Sequence, residues 1–406
     1  MASNKKAAVG FIFVTILMDV VGIGIIIPVV PKLIAELIDN PSAGLAAKYG
    51  GWLTFSYAFM QFVCSPILGN LSDQFGRRPV LLFSLLGFGL DYLFVAFAPS
   101  IFWLFIGRII AGITGGSITT ATAYMADIST PENRAQNFGM IGAAFGLGFI
   151  IGPFLGGVLG EFGARVPFFV AAGLALANWL YGYFVLPESL DKSLRRPFDW
   201  KRANPVNSLL RLKKYPAVGG LIRSLVLIYL AAHAVQSNWT FFNIERFNWS
   251  SKMIGISLGI VGVLVTLVQG GLIRVINPRI GNEKSVYFGL ALYTIGLLSF
   301  AFANQSWMMF AFLVPYCLGG IAGPALQSII SGSFPANEQG ELQGALTSLI
   351  SVTSIIGPLI MTSSFAYFTS ERALIYFPGI SFLIGALFML CSLAWAYYAL
   401  HMKPKK

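Results

Sequence analysis

Apolar runs, each about the length of a bilayer-crossing helix, follow one another along most of this 406-residue chain. A helix needs ~20 such residues to cross ~30 Å of hydrocarbon. Runs this long and uniform do not suit the alternating strands, each of ~10 residues, from which membrane barrels are built. Hydrophobic residues are 56% of the chain and charged ones 11%, where a soluble domain is ~25% charged. The mean hydropathy is +0.75. The class that fits is an all-α membrane protein. Twelve transmembrane helices are predicted, over 8–30, 50–69, 79–98, 102–127, 136–160, 166–186, 219–242, 254–276, 284–303, 307–331, 342–366 and 373–398. The first follows Lys5 and Lys6, but no small-residue cleavage site comes after it, so it reads as a retained helix rather than a signal peptide.

Lys and Arg set the orientation. With both termini cytoplasmic, 20 of the 27 basic residues fall on that side, 6 fall outside, and Arg108 lies within a span. The net charge of +11 is thus a topology signal and calls for no nucleic-acid partner. Cys64, Cys317 and Cys391 are spaced for neither a disulfide framework nor a metal site, and read as small packing residues.

Residues 187–218 interrupt the apolar pattern with alternating prolines and basic residues. They are expected to form a cytoplasmic linker between two six-helix bundles, 1–186 and 219–406, with short amphipathic pieces on the membrane surface. The bundles carry a repeat. Gly139, Gly152 and Pro153 recur 205 residues later as Gly344, Gly357 and Pro358. Phe75-Gly76 recurs at the same offset as Ile280-Gly281, and Pro131-Glu132-Asn133 has its echo in Pro335-Ala336-Asn337. Six-helix repeats related by an axis along the membrane normal are a known transporter design. The second half has lost charge: Asp73 maps to Pro278, Arg77 to Asn282, and Asp19, Asp91 and Asp127 to Ser224, Gly296 and Gly332. Any proton-handling carboxylate is therefore expected in the first half.

Between two of the runs, residues 69–78 read Gly-Asn-Leu-Ser-Asp-Gln-Phe-Gly-Arg-Arg. This is expected to be a tight charged turn at a membrane surface, a pattern suited to a switchable gate. Gly69, Asp73, Gly76, Arg77 and Arg78 are the gating candidates. Asp127, near the same end of the fourth span, is expected to join Asp73 and Arg77 in a cluster.

An ionised group at mid-helix costs at least ~2.5–3.5 kcal/mol, so an intramembrane charge is a functional candidate by default. Asp19 is ~16 Å into its span at 1.5 Å per residue, near the midplane. Asp91 and Arg108 come out at ~18 and ~20 Å on neighbouring antiparallel helices, which predicts a neutralising pair. Protonating Asp91 would release Arg108. A static salt bridge is the plain alternative. His233 could relay protons or simply be hydrogen-bonded. Gln61, Tyr57, Gln236, Asn238, Phe241, Gln269, Tyr293 and Gln327 are candidates to line a mixed polar and aromatic cavity for an amphipathic molecule. Gly148, Gly152, Gly156 and Gly160 fall on one helix face and permit close helix packing; Pro153 adds a kink.

Twelve spans, a basic linker and the cassette at 69–78 resemble the major facilitator superfamily. Gly148, Gly152-Pro153 and Gly156-Gly157 resemble the antiporter motif of its exporters. Residues 17–28, 60–66, 107–115 and 341–344 resemble bacterial tetracycline efflux proteins. That resemblance implies the major facilitator fold and proton-coupled drug export by alternating access at the cell inner membrane. The family's histidine in the eighth span and aspartate in the ninth, both tied to coupling, fall on Val265 and Tyr293 here, while Gln269 matches.

The leading functional reading is a secondary transporter, a proton-coupled efflux antiporter for a small amphipathic compound such as a tetracycline-like drug. A metabolite importer or symporter of the same fold is the alternative, and a non-transporting receptor the second. An enzyme is disfavoured, since there is no phosphate loop, metal spacing or nucleophile–base pattern. No cofactor and no metal are expected. The expected partners are a small-molecule substrate, protons and the lipid bilayer, with the chain a monomer.

Overall fold

The computed structural model describes residues 2–38, 42–129, 134–200, 204, 219–333 and 339–401. Every regular element among them is helical. In chain order these are α1 (Ala2–Ile26), α2 (Val30–Leu37), α3 (Ala43–Phe75), α4 (Arg77–Ala96), α5 (Ile101–Thr114), α6 (Ser117–Ile128), α7 (Arg134–Gly160) and α8 (Val166–Val185). After the linker come α9 (Gly219–Phe247), α10 (Ser251–Leu267), α11 (Ile273–Ala301), α12 (Ser306–Leu318), α13 (Ala322–Gly332), α14 (Gln339–Phe368) and α15 (Ile380–His401). Most of the linker, 201–203 and 205–218, lies outside the described residues, as do Pro131-Glu132-Asn133 and Pro335-Ala336-Asn337.

Ten helical stretches are long and apolar enough to cross a membrane, and α10 is a shorter apolar helix. Helix α3 has the length, at 33 residues, but Thr54, Ser56, Tyr57, Gln61 and Ser65 lower its hydropathy. The predicted span 254–276 is cut short because a π-helical turn, Val268–Leu272, divides α10 from α11. The predicted span 8–30 also differs. Helix α1 stops at Ile26, and Pro31 opens α2 after a short turn.

The chain forms two compact units. The first comprises Met1–Asn40, Ser56–Pro205 and Ser250–Gly259; the second comprises Pro41–Phe55, Val206–Trp249 and Ile260–Lys406. In the first, α1 packs on α7 and α8, and α4 on α8. Phe11, Ile16, Val20, Leu81, Leu85 and Tyr124 form its core. In the second, α9 packs on α14 and α15, and α11 on α15. Its core is aromatic: Trp239 meets Phe300 edge to face at 5.2 Å, and Phe242 meets Phe382 at 4.9 Å.

Backbone breaks recur between the halves. Gly115-Gly116 separate α5 from α6, and 204 residues later Gly319-Gly320 open a 3₁₀ turn between α12 and α13. Gly76 (φ +107°) separates α3 from α4, and Gly281 (φ +80°) breaks α11 at an offset of 205. Both are left-handed conformations in which a side chain would be strained.

Candidate functional site

The cassette at 69–78 is not the ten-residue turn expected from its glycines. It is the last turns of α3, one non-helical residue, and the start of α4. Asp73 and Arg77 thereby sit on either side of Gly76, and Arg77 Nη1 reaches Asp73 Oδ1 at 2.6 Å. Arg77 Nε donates to Asp127 Oδ2 on α6 at 3.1 Å, and Nη1 also donates to Ser72 Oγ at 2.6 Å. The structure thus brings Asp73, Arg77 and Asp127 together. Arg78 turns away: it donates to Tyr183 O at 2.7 Å and lies over that residue's ring. Gly69 has open space where a side chain would point.

The sequence reading missed a second layer. Glu188 Oε1 accepts from the backbone N–H groups of Arg77 (2.8 Å), Ser189 (3.0 Å) and Leu190 (3.1 Å). Those donors include the orphan amide at the start of α4, where a carboxylate also complements the helix dipole. Arg195 approaches Glu188 Oε2 at 3.9 Å. Ser189 Oγ donates to Asp127, Arg196 N–H donates to Asp73 O, and Asn70 Nδ2 donates to Asp199 O. The start of the linker is strapped across the cassette. Nearby, Ser193 donates its backbone and side-chain hydrogens to Asp191, which holds that exposed carboxyl below its usual range. Pro187-Glu188-Ser189, directly after the sixth apolar run, is the sequence signal that could have found this layer.

The equivalent positions of the second half are also joined, without charge. Asn282, which stands at the place of Arg77, accepts from Asn277 Nδ2 at 2.7 Å, as Arg77 meets Ser72 in the first half. Asn282 also donates to Ser328 on α13 at 3.3 Å.

Within the first unit, Arg108 Nη2 and Asp91 Oδ2 pair at 2.5 Å, with the Asp91 side chain fully buried. Asp91 Oδ1 has no hydrogen-bond partner. Asp19 is buried on α1, and its Oδ2 is unpartnered as well. Tyr57 and Tyr92 lie within electrostatic reach of all three charges. Gln61 Nε2 donates to Tyr57 Oη at 3.0 Å and to Gly115 O at 3.2 Å. Helices α1, α3, α4 and α5 therefore contribute to one buried polar cluster. Two of its carboxylate oxygens, Asp91 Oδ1 and Asp19 Oδ2, accept no hydrogen bond.

In the second unit, Gln269 and Tyr293 come together at the 3₁₀ turn. Both border Gly320, with Gln269 Nε2 and Tyr293 Oη within 3.5 and 3.7 Å of where its side chain would begin. Tyr293 also meets Tyr316 edge to face at 5.2 Å. Gln269 lies within the π turn, a departure from α geometry that is frequent at functional sites. Gln236 is exposed and Gln327 half-buried. Asn238 and Phe241 are buried in the packing of α9, where Asn238 donates to Ser381 Oγ at 2.8 Å. His233 is buried, its ring against Gly357 of α14.

The face of Gly148, Gly152 and Gly156 packs on α1. A side chain at 148 would meet Val20, at 152 the Gly24 backbone, and at 156 the Ile25 carbonyl. Gly157 turns instead to Gly255 of α10, and Pro153 borders Gly24.

The sequence profile of the Major Facilitator Superfamily matches residues 12–358 and 275–406. The chain belongs to the Major Facilitator Superfamily. It is 40% identical over 392 residues to the class C tetracycline resistance protein of Escherichia coli, covering 96% of each chain. It is 36% identical over 398 residues to the class H tetracycline resistance protein of Pasteurella multocida, covering 97% of this chain and 96% of that one. A bacterial homologue of the human lysosomal transporter Spinster, in an inward-facing and unoccupied conformation, shares the fold with a TM-score of 0.80 at 14% identity, over 99% of each chain. Membership makes the chain a multi-pass membrane protein and a secondary transporter of small molecules.

In this superfamily member Arg77 is held by two carboxylates that are only partly screened from solvent, with side-chain exposures of 39% at Asp73 and 21% at Asp127. Arg77→Ala is expected to cost ~1 kcal/mol or less in stability, as exposed pairs do. Its larger effect is expected on the conformational balance, shifted between 5- and 150-fold for a coupling of ~1–3 kcal/mol. Accessibility labelling of single-cysteine variants measures the shift, and unchanged labelling would rule out a gating role for Arg77.

Proposed function

We propose that the chain is a proton-coupled antiporter that exports a tetracycline-like amphipathic drug across the inner membrane by alternating access. The observation that carries this reading is the buried Arg108–Asp91 pair, set in a chain that matches a tetracycline resistance protein over nearly its whole length. A proton on Asp91 neutralises it and frees Arg108, and returning the proton restores the pair. Asp19 offers a second carboxylate on the neighbouring helix. The twelve-span topology supplies the framework, with cytoplasmic termini and two six-helix bundles, 1–186 and 219–406, joined by the linker 187–218.

The cluster of Asp73, Arg77 and Asp127 closes the cytoplasmic end, with Gly69, Gly76 and Arg78 shaping the joint. Tyr57 and Gln61 in the first unit, and Gln236, Asn238, Phe241, Gln269, Tyr293 and Gln327 in the second, are the candidates for drug contact. With Val265 and Tyr293 at the positions where tetracycline exporters carry a histidine and an aspartate, coupling rests on the first half, and His233 is the candidate to assist from the second. Gly148, Gly152, Pro153, Gly156 and Gly157 seal the packing against leakage. The chain works as a monomer.

Reconstitution into liposomes tests the proposal. With an imposed pH gradient, adding a tetracycline is expected to dissipate the gradient in proportion to drug moved, while a sugar leaves it intact. Gradient dissipation by the sugar and not by the drug would establish a symporter or importer instead.

A further inference from the structure

On the second unit, Arg223, Cys391, Ala394, Trp395 and Tyr398 line a groove of about 550 Å³ between α9 and α15. It lies at the helix ends, since Arg223 is in the first two turns of α9 and Tyr398 in the last turn of α15. All five residues are exposed. Arg223 makes no ion pair among the described residues; its guanidinium instead lies 4.7 Å above the centroid of Trp395. Stacking on an aromatic face holds the guanidinium in place while leaving its N–H groups free for an acceptor.

The floor is rigid. Ser224 and Ser392, buried and adjacent to Arg223 and Cys391, are joined by hydrogen bonds: their hydroxyl oxygens are 2.7 Å apart and each reaches the other's carbonyl, at 3.0 and 2.9 Å, so the two hydroxyl hydrogens are shared among three acceptors. A side chain at Gly220 would meet Ala399 Cβ at 2.7 Å, so the two helices touch one turn further along. The groove is therefore fixed by the helix crossing and is not a gap between mobile side chains.

We propose that this groove is a binding site for an anionic glycerophospholipid, with the headgroup phosphate on Arg223 and an acyl chain along Ala394 and Cys391. The chemistry is complementary at both ends. A planar guanidinium pairs with two phosphate oxygens at once. Tryptophan and tyrosine prefer the headgroup level, where one edge is wet and the other apolar. Basic pockets between spanning helices take up anionic headgroups in this way. The chain's excess of 27 basic over 16 acidic residues favours an anion over a zwitterion. A lipid held here would tie α9 to α15 next to the linker, fixing where the second half begins relative to the bilayer surface.

Tryptophan quenching in liposomes tests the site. Dibrominated phosphatidylglycerol is expected to quench the Trp395 contribution, isolated as the difference between wild type and Trp395→Phe, about fivefold more effectively than dibrominated phosphatidylcholine. Arg223→Gln should reduce that ratio to near one, and Ala394→Leu, which fills the groove, leaves Arg223 in place and adds no tryptophan, should lower access of both lipids to the groove. Equal quenching by the two lipids in wild type, or a preference that survives Arg223→Gln, would overturn the proposal. So would loss of the preference on adding millimolar inorganic phosphate, which would make the site one for free phosphate.

Discussion

Asp91→Asn is expected to abolish drug-coupled proton movement, with transport in the proteoliposome assay at background. The Asp91 side chain is fully buried and holds Arg108 at 2.5 Å. Removing its charge leaves a guanidinium without its carboxylate, and breaking a buried pair from one side costs ~3–5 kcal/mol. Two effects therefore superimpose, lost coupling and lost stability, and a double variant separates them. Asp91→Asn combined with Arg108→Gln removes both charges and should recover much of the thermal stability in detergent, because a neutral pair carries no stranded ion. It should recover none of the proton coupling. If the double variant regained drug-driven proton flux, the pair would be a static brace and the proton would travel elsewhere, with Asp19 the remaining buried acid among the described residues of that half.

Gly156→Leu is expected to be as damaging, for a different physical reason. The first atom of a side chain at 156 would overlap the Ile25 carbonyl. At 152 the nearest atom is the Gly24 Cα, 2.8 Å away. Helices α1 and α7 touch backbone to backbone here, so the clash cannot be relieved by a rotamer change. Overpacking where side chains can still give costs ~1–3 kcal/mol, and a rigid backbone contact sits at or above the upper end. The variant should lose drug export and leak protons as α7 is pushed off α1. Gly142→Ala on the same helix meets nothing within 4 Å and should be silent in both measurements. A silent Gly156→Leu would mean that α1 and α7 part freely.

How much of this was legible follows from what sequence periodicity encodes. Apolar run length gives a helical membrane protein directly, since the bilayer sets the length and leaves few alternatives. The approach of Arg108 to Asp91 followed from counting rise per residue along two antiparallel helices. The meeting of Arg77, Asp73 and Asp127 followed from helix ends sharing one side. The cassette's conformation did not follow. Gly69 and Gly76 within one charged segment suggest a loop, but α3 stays helical to Phe75 and the break falls on Gly76 alone. The Glu188 layer was hidden because its partners are backbone amides, which no side-chain pattern announces. Polar and aromatic residues near a polar stretch suggest a cavity wall; Asn238 and Phe241 are both buried, and Asn238 donates to Ser381 Oγ of α15. The π turn around Gln269 was likewise unreadable, because Gly270-Gly271 fits a helix, a turn or a bulge equally well.

The single residue between α3 and α4 has a mechanical consequence. Two consecutive virtual bonds extend to ~7 Å at most, so the ends of these helices can swing about Gly76 but cannot slide past one another. Glu188, fastened to the first amide of α4, travels with them. One glycine thus couples the end of α3 to the start of α4 with no slack between them.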